Sequence, residues 1–127
     1  MGLMIRYCFI LLFFIGFSAS AAYAQTFDDA PLLQNAQKFL EDKQYENAII
    51  ELNKILESDP DSVKALNEKG KIRLIQGKYV KALQNFEKTL EFEPDNTVAL
   101  NGLGVSQFNL NQYDDALDSF NSVLKID

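Results

Sequence analysis

A chain of 127 residues with no histidine, one cysteine and a formal net charge of −6 lacks the side chains most used for catalysis and metal binding. The commonest general base, the main zinc ligands and, beyond Cys8, any thiol nucleophile are missing, so no catalytic, cofactor-binding or metal site is expected. The acidic excess also argues against nucleic acid and anionic membrane surfaces as partners.

The first 24 residues are of a different kind from the rest. Arg6 supplies a positive charge, Cys8 to Phe17 is an apolar run broken only by Gly16, and Ala22-Tyr23-Ala24 is a small-x-small site. This pattern predicts a secretory signal peptide over 1–24, cut before Gln25. The apolar core is short for a membrane span, which needs about 20 residues, although an uncleaved segment would act as an N-terminal membrane anchor. Cleavage would remove the only cysteine, leaving eleven basic and eighteen acidic residues and a fold that depends on packing rather than disulfides. A secreted, periplasmic or cell-envelope location follows.

After a short lead-in at 25–28, residues 29–62, 63–96 and 97–127 overlay without a gap, on a period of 34 set by Pro60 and Pro94. Leu32, Leu66 and Leu100 align, as do Ala36, Gly70 and Gly104, Tyr45, Tyr79 and Tyr113, and Ala48, Ala82 and Ala116. Leu52, Phe86 and Phe120 form a bulky series, followed by Leu56, Leu90 and Leu124. Small residues let helices approach and large ones fill the space beside them, so each unit reads as a helix pair. The pairs are expected at 30–42 with 45–57, 63–76 with 79–92, and 97–110 with 113–126. Gly77 and Asn111, and less favourably Lys43, suit the left-handed turn between partners; Ser62 and Asn96 suit helix caps, and the prolines end each unit. The three tyrosines are expected in the core.

This series resembles the tetratricopeptide repeat, whose signature is a fixed order of large, small and aromatic positions closing on proline. It departs where the usual mid-helix aromatic is Phe39 in the first unit but Arg73 and Gln107 later, and where Lys69 stands in the place of Leu103. The resemblance implies an all-α solenoid of three antiparallel helix pairs in a right-handed superhelix, with the first helix of each pair lining a concave groove. On that register the groove shows Leu33, Gln34, Gln37, Leu40 and Glu41, then Asn67, Glu68, Lys71, Leu74 and Ile75, then Val98, Asn101, Gly102, Val105 and Phe108. Asn67, Lys71, Val98, Asn101, Val105 and Phe108 are the candidate peptide contacts, the asparagines through backbone hydrogen bonds and the apolar residues through burial. Family members that clamp the C-terminal carboxylate of cytosolic chaperones carry Lys, Asn and Arg at positions held here by Leu33, Gln37, Glu68, Val98 and Gly102, so that clamp is absent.

Charge is uneven along the chain. The units carry three basic and eight acidic, seven and five, and one and four residues in turn, a pattern that reads as solvated helix faces. Asp114, Asp115 and Asp118 resemble a magnesium-chelating face, but the first two lie in the first turn of a helix, where carboxylates complement the dipole. Leu117, Phe120, Val123 and Leu124 on the last helix form a candidate self-association face. The reading is an exported interaction scaffold for a peptide or partner protein. Its alternative is a self-associating structural solenoid or the N-terminal part of a longer array.

Overall fold

The computed structural model describes residues 27–126; the expected signal segment and Asp127 lie outside the described residues. Six helices and no strand occur among them: α1 Ala30–Glu41, α2 Tyr45–Ser58, α3 Val63–Ile75, α4 Tyr79–Phe92, α5 Thr97–Asn109 and α6 Tyr113–Ile126. Each helix packs on its chain neighbours, and α3 also meets α5, which makes the molecule a stack of three helix pairs. None of these helices is long and apolar enough to cross a membrane.

The first helix of every pair closes by one device. Lys43, Gly77 and Asn111 take positive φ angles of 57°, 69° and 62°. Their N–H groups donate back to the carbonyls of Leu40, Leu74 and Phe108 at 3.0, 3.0 and 3.1 Å. The next residues, Gln44, Lys78 and Gln112, donate to Phe39, Arg73 and Gln107 at 2.7, 2.8 and 2.9 Å. This pair of bonds satisfies the carbonyls that a helix end leaves orphaned, and the left-handed residue reverses the chain. Glycine meets that backbone without a Cβ penalty, whereas Lys43 bears a cost of roughly 1 kcal/mol. Because the closure begins there, α1, α3 and α5 end one residue before the expected 42, 76 and 110.

Between pairs, the caps are those expected. Ser62 Oγ accepts from the Ala65 N–H at 3.4 Å and Asn96 Oδ1 from the Ala99 N–H at 2.9 Å. Pro60 and Pro94 lie in the turns just before, where a helix cannot continue.

Complementary sizes hold the pairs together. The first core cluster joins Ala36, Ala48, Ile49, Leu52 and Ile55 to Ala65 and Ile72 of the next unit, and a second unites Ala82, Phe86 and Ala99. The Phe86 ring lies against both Gly70 and Gly102: a Cβ at either glycine would fall 2.7 or 2.3 Å from ring carbons. Phe120 approaches Gly104 in the same way, at 2.6 Å. In the first unit the corresponding positions hold Leu52 and Ala36, both buried in the first cluster, so a smaller large residue is matched there by a larger small one.

Tyr113 corrects an expectation. Tyr45 and Tyr79 are partly buried, and Tyr45 packs on the first cluster, but Tyr113 is largely exposed. Its hydroxyl donates to Asn111 Oδ1 at 2.8 Å and its ring meets Phe108 edge-on at 5.5 Å between centroids. The earlier tyrosines are flanked by a following helix pair; among the described residues Tyr113 has none.

Candidate functional site

Two clefts lie between successive first helices. One, of about 300 Å³, is bounded by Leu33, Gln34, Gln37 and Leu40 of α1 and by Lys64 and Glu68 of α3. The other, of about 480 Å³, runs between α3 and α5; Lys71, Leu74, Val98, Asn101 and Val105 form its walls. Phe86, Gly102 and Val123 reach it from beneath. Their chemistry differs. The α1/α3 cleft alternates amides and charges with leucines, whereas the α3/α5 cleft is mainly apolar, four aliphatic side chains and Phe86 beside Lys71, Thr97 and Asn101. Lys71 Nζ rests 2.7 Å from Glu68 Oε1, one turn earlier on the same helix. An apolar trough with a few polar groups suits burial of aliphatic side chains while orienting a backbone.

Lys71, Val98, Asn101 and Val105 therefore share one cleft. Asn67 does not join them. It is only 7% exposed, and its Nδ2 donates at 3.2 Å to Asn96 Oδ1, the same oxygen that caps α5. Asn96 Nδ2 in turn donates to Glu93 Oε2 at 2.7 Å. Asn67 thus ties α3 to the start of the next unit instead of facing a ligand. Its repeat equivalent Asn101 is exposed. Gly102, expected on the groove surface, does line the α3/α5 cleft, but it is itself buried, packed against the Phe86 ring.

Phe108 lies outside the lining of the cleft and is 57% exposed, so it is no replacement for the missing core aromatic at Gln107. It occupies the register position of Leu74, one unit further on. Of the four residues expected on a self-association face, Leu117 and Leu124 are exposed. Phe120 and Val123 are partly buried, the first against Gly104 and the second at the α3/α5 cleft.

A polar clamp fixes the first pair to the second. Glu46 Oε1 on α2 accepts from Lys78 Nζ at 2.9 Å, Gln76 Nε2 at 2.9 Å and Arg73 Nη1 at 3.3 Å. The Lys78 hydrogen bond above all, then that of Gln76, lowers the Glu46 pKa from 4.5 to about 2. A depressed carboxylate pKa contributes stability that is fully present above the unfolded value and is lost as pH falls through the folded one. Glu46→Gln should therefore melt slightly below wild type at neutral pH and low salt, and the gap should close between pH 4.5 and about 2. The carboxylate is exposed, so salt should shrink the gap too. Thermal melts of both proteins across that range check this; a gap independent of pH would contradict it.

A stack of antiparallel helix pairs with a trough along one side defines a helical-repeat protein. The chain belongs to the tetratricopeptide-repeat family: two family models, each described as Tetratricopeptide repeat, match residues 51–84 and 73–127. No curated protein matches it in sequence. Among solved structures it is similar to the first TPR of Spaghetti (RPAP3) bound to HSP90 peptide SRMEEVD, at 18% identity over 78% of this chain and 79% of that one, with a TM-score of 0.74. The Sgt2 TPR domain from Aspergillus fumigatus shares 20% identity over 80% of this chain and 67% of its own, TM-score 0.74. MamA 41-end from Desulfovibrio magneticus RS-1 shares 23% over 79% and 56%, TM-score 0.72. At these identities the likeness establishes the fold. The chain is an all-α repeat solenoid.

Proposed function

We propose that this protein is an exported interaction scaffold whose α3/α5 cleft holds an extended or helical peptide from an envelope or secreted partner. The observation that carries the reading is the composition of that cleft: Leu74, Val98, Val105 and Val123 offer apolar surface, with Lys71 and Asn101 beside them. Similar folds are described as bound to an HSP90 peptide, which supports peptide capture as the general mode. The ligand here differs from theirs in chemistry, because Leu33, Gln37, Glu68, Val98 and Gly102 leave no cationic clamp for a terminal carboxylate. Peptides selected from a random library on the chain beginning at Gln25 should be aliphatic, and should perturb the amide resonances of Lys71, Asn101 and Val105. Perturbations confined to other helices would contradict the site.

Export rests on the Arg6, Cys8–Phe17 and Ala22-Tyr23-Ala24 pattern. Expressed in its own host, the protein should begin at Gln25 on N-terminal sequencing. An intact Met1 on soluble cytoplasmic protein would contradict export while leaving the cleft untouched.

A further inference from the structure

Four of the seven cations of the middle unit gather in one place. Lys69 and Arg73 of α3 and Lys81 and Lys88 of α4 line one cleft of about 440 Å³, with Gln84, Asn85, Leu56 and Leu66. Lys69 is two residues from Lys71, so at 100° per residue the two project from opposite sides of α3, and this cleft is separate from the aliphatic one.

Repeat equivalence shows what is unusual here. In the first unit Asn35 Nδ2 lies 3.5 Å from Glu51 Oε2, and Glu51 also pairs with Lys54 at 2.6 Å. Thirty-four residues on, the amide is replaced by Lys69 and the carboxylate by Asn85. Asn85 turns away to donate to the Lys81 carbonyl at 2.8 Å. In the third unit the pair is Leu103 and Ser119, an arrangement with no charge at all. The middle unit thus introduces a cation at a packing position and removes its carboxylate counterpart. Among the described residues, Lys69, Lys81 and Lys88 form no ion pair, and Arg73 shares Glu46 with Lys78. Burial, then the charges of Arg73, Lys88 and Lys81, push the Lys69 ammonium below its usual range. Gathering like charges around a half-buried lysine is unfavourable unless an anion completes the site.

We propose that this cleft is a second binding site, for a short acidic peptide segment that places two or more carboxylates on Lys69, Arg73, Lys81 and Lys88 and an aliphatic side chain on Leu56 and Leu66. Length is limited by charge. The first unit has eight acidic and three basic residues and the third four and one, so a long polyanion would be repelled on both sides of the cleft. A segment confined to the middle unit would not. The leucines favour a peptide over a bare anion, since they offer apolar surface that phosphate cannot use.

The test uses a fluorescent peptide of alternating glutamate and leucine, with its glutamine counterpart as control, and the chain beginning at Gln25. Fluorescence anisotropy should show the acidic peptide binding at least about tenfold more tightly than the control, whose leucines the α3/α5 cleft can still take. Lys69→Gln combined with Lys88→Gln should weaken it about tenfold or more, while Lys38→Gln combined with Lys125→Gln, the same change in net charge elsewhere, should leave it within about twofold. Lys69→Leu, which copies the third unit, should raise the unfolding midpoint and still weaken binding of the acidic peptide. Equal binding of both peptides, equal losses in both double variants, or full displacement by millimolar phosphate at constant ionic strength would each overturn the proposal. So would a lower midpoint in Lys69→Leu, which would make that lysine a packing residue.

Discussion

Phe86→Ala should cost about 3–5 kcal/mol, because Phe86 is the largest fully buried side chain among the described residues. Phe86 is fully buried and its ring spans two units, filling the space left by Gly70 in its own pair and Gly102 in the next. The cavity made by its removal would be bounded on two sides by glycines, which have no side chain to move into it. Closing it would require α3, α4 and α5 to approach together. Against a typical stability of about 5–15 kcal/mol, such a loss leaves the chain near its unfolding threshold. Phe86→Leu combined with Gly70→Ala copies the Leu52 and Ala36 pair of the first unit and should recover part of the loss. Urea unfolding of the three proteins measures this. A cost below about 1 kcal/mol for Phe86→Ala would show that the stack does not depend on the ring.

Phe108→Ala should weaken partner binding by about 1–3 kcal/mol while leaving the unfolding midpoint nearly unchanged. Its ring is largely exposed and meets Tyr113 edge-on, so truncation opens no buried cavity. It continues the register of Leu74, which lines the α3/α5 cleft, and would extend the apolar surface available to a peptide beyond Val105. Calorimetric titration with a library-selected peptide, set beside thermal melts, separates the two effects. A large fall in midpoint with unchanged affinity would assign Phe108 to folding instead.

The helices were legible because their signals are local and periodic. Repeat spacing, caps at Ser62 and Asn96, and left-handed turns at Lys43, Gly77 and Asn111 recur within each unit, independent of its neighbours. Burial was legible only in part, because it depends on which unit comes next. Asn67 and Asn101 are equivalent in sequence, yet Asn67 is covered by the cap of α5 while Asn101 is exposed; Tyr79 and Tyr113 differ in the same way. That Gly102 is buried as well as lining the cleft was not legible, because the aromatic that packs on it, Phe86, comes from the preceding pair. The basic cleft needed the packing of α3 against α4 to bring four cations together. Its trace in the sequence is the series Asn35 with Glu51, Lys69 with Asn85, and Leu103 with Ser119, visible once paired positions are compared across units.

The most direct measurement of the aliphatic α3/α5 cleft as the binding site is the affinity of a library-selected peptide for wild type and for Val105→Asp. Val105 is a partly buried wall residue of that cleft, so a carboxylate there is hydrated at little cost to the fold but would have to be desolvated beneath a bound peptide. Affinity should fall at least about tenfold with helicity and unfolding midpoint close to wild type. Unchanged affinity in a folded Val105→Asp protein would place the peptide elsewhere on the stack.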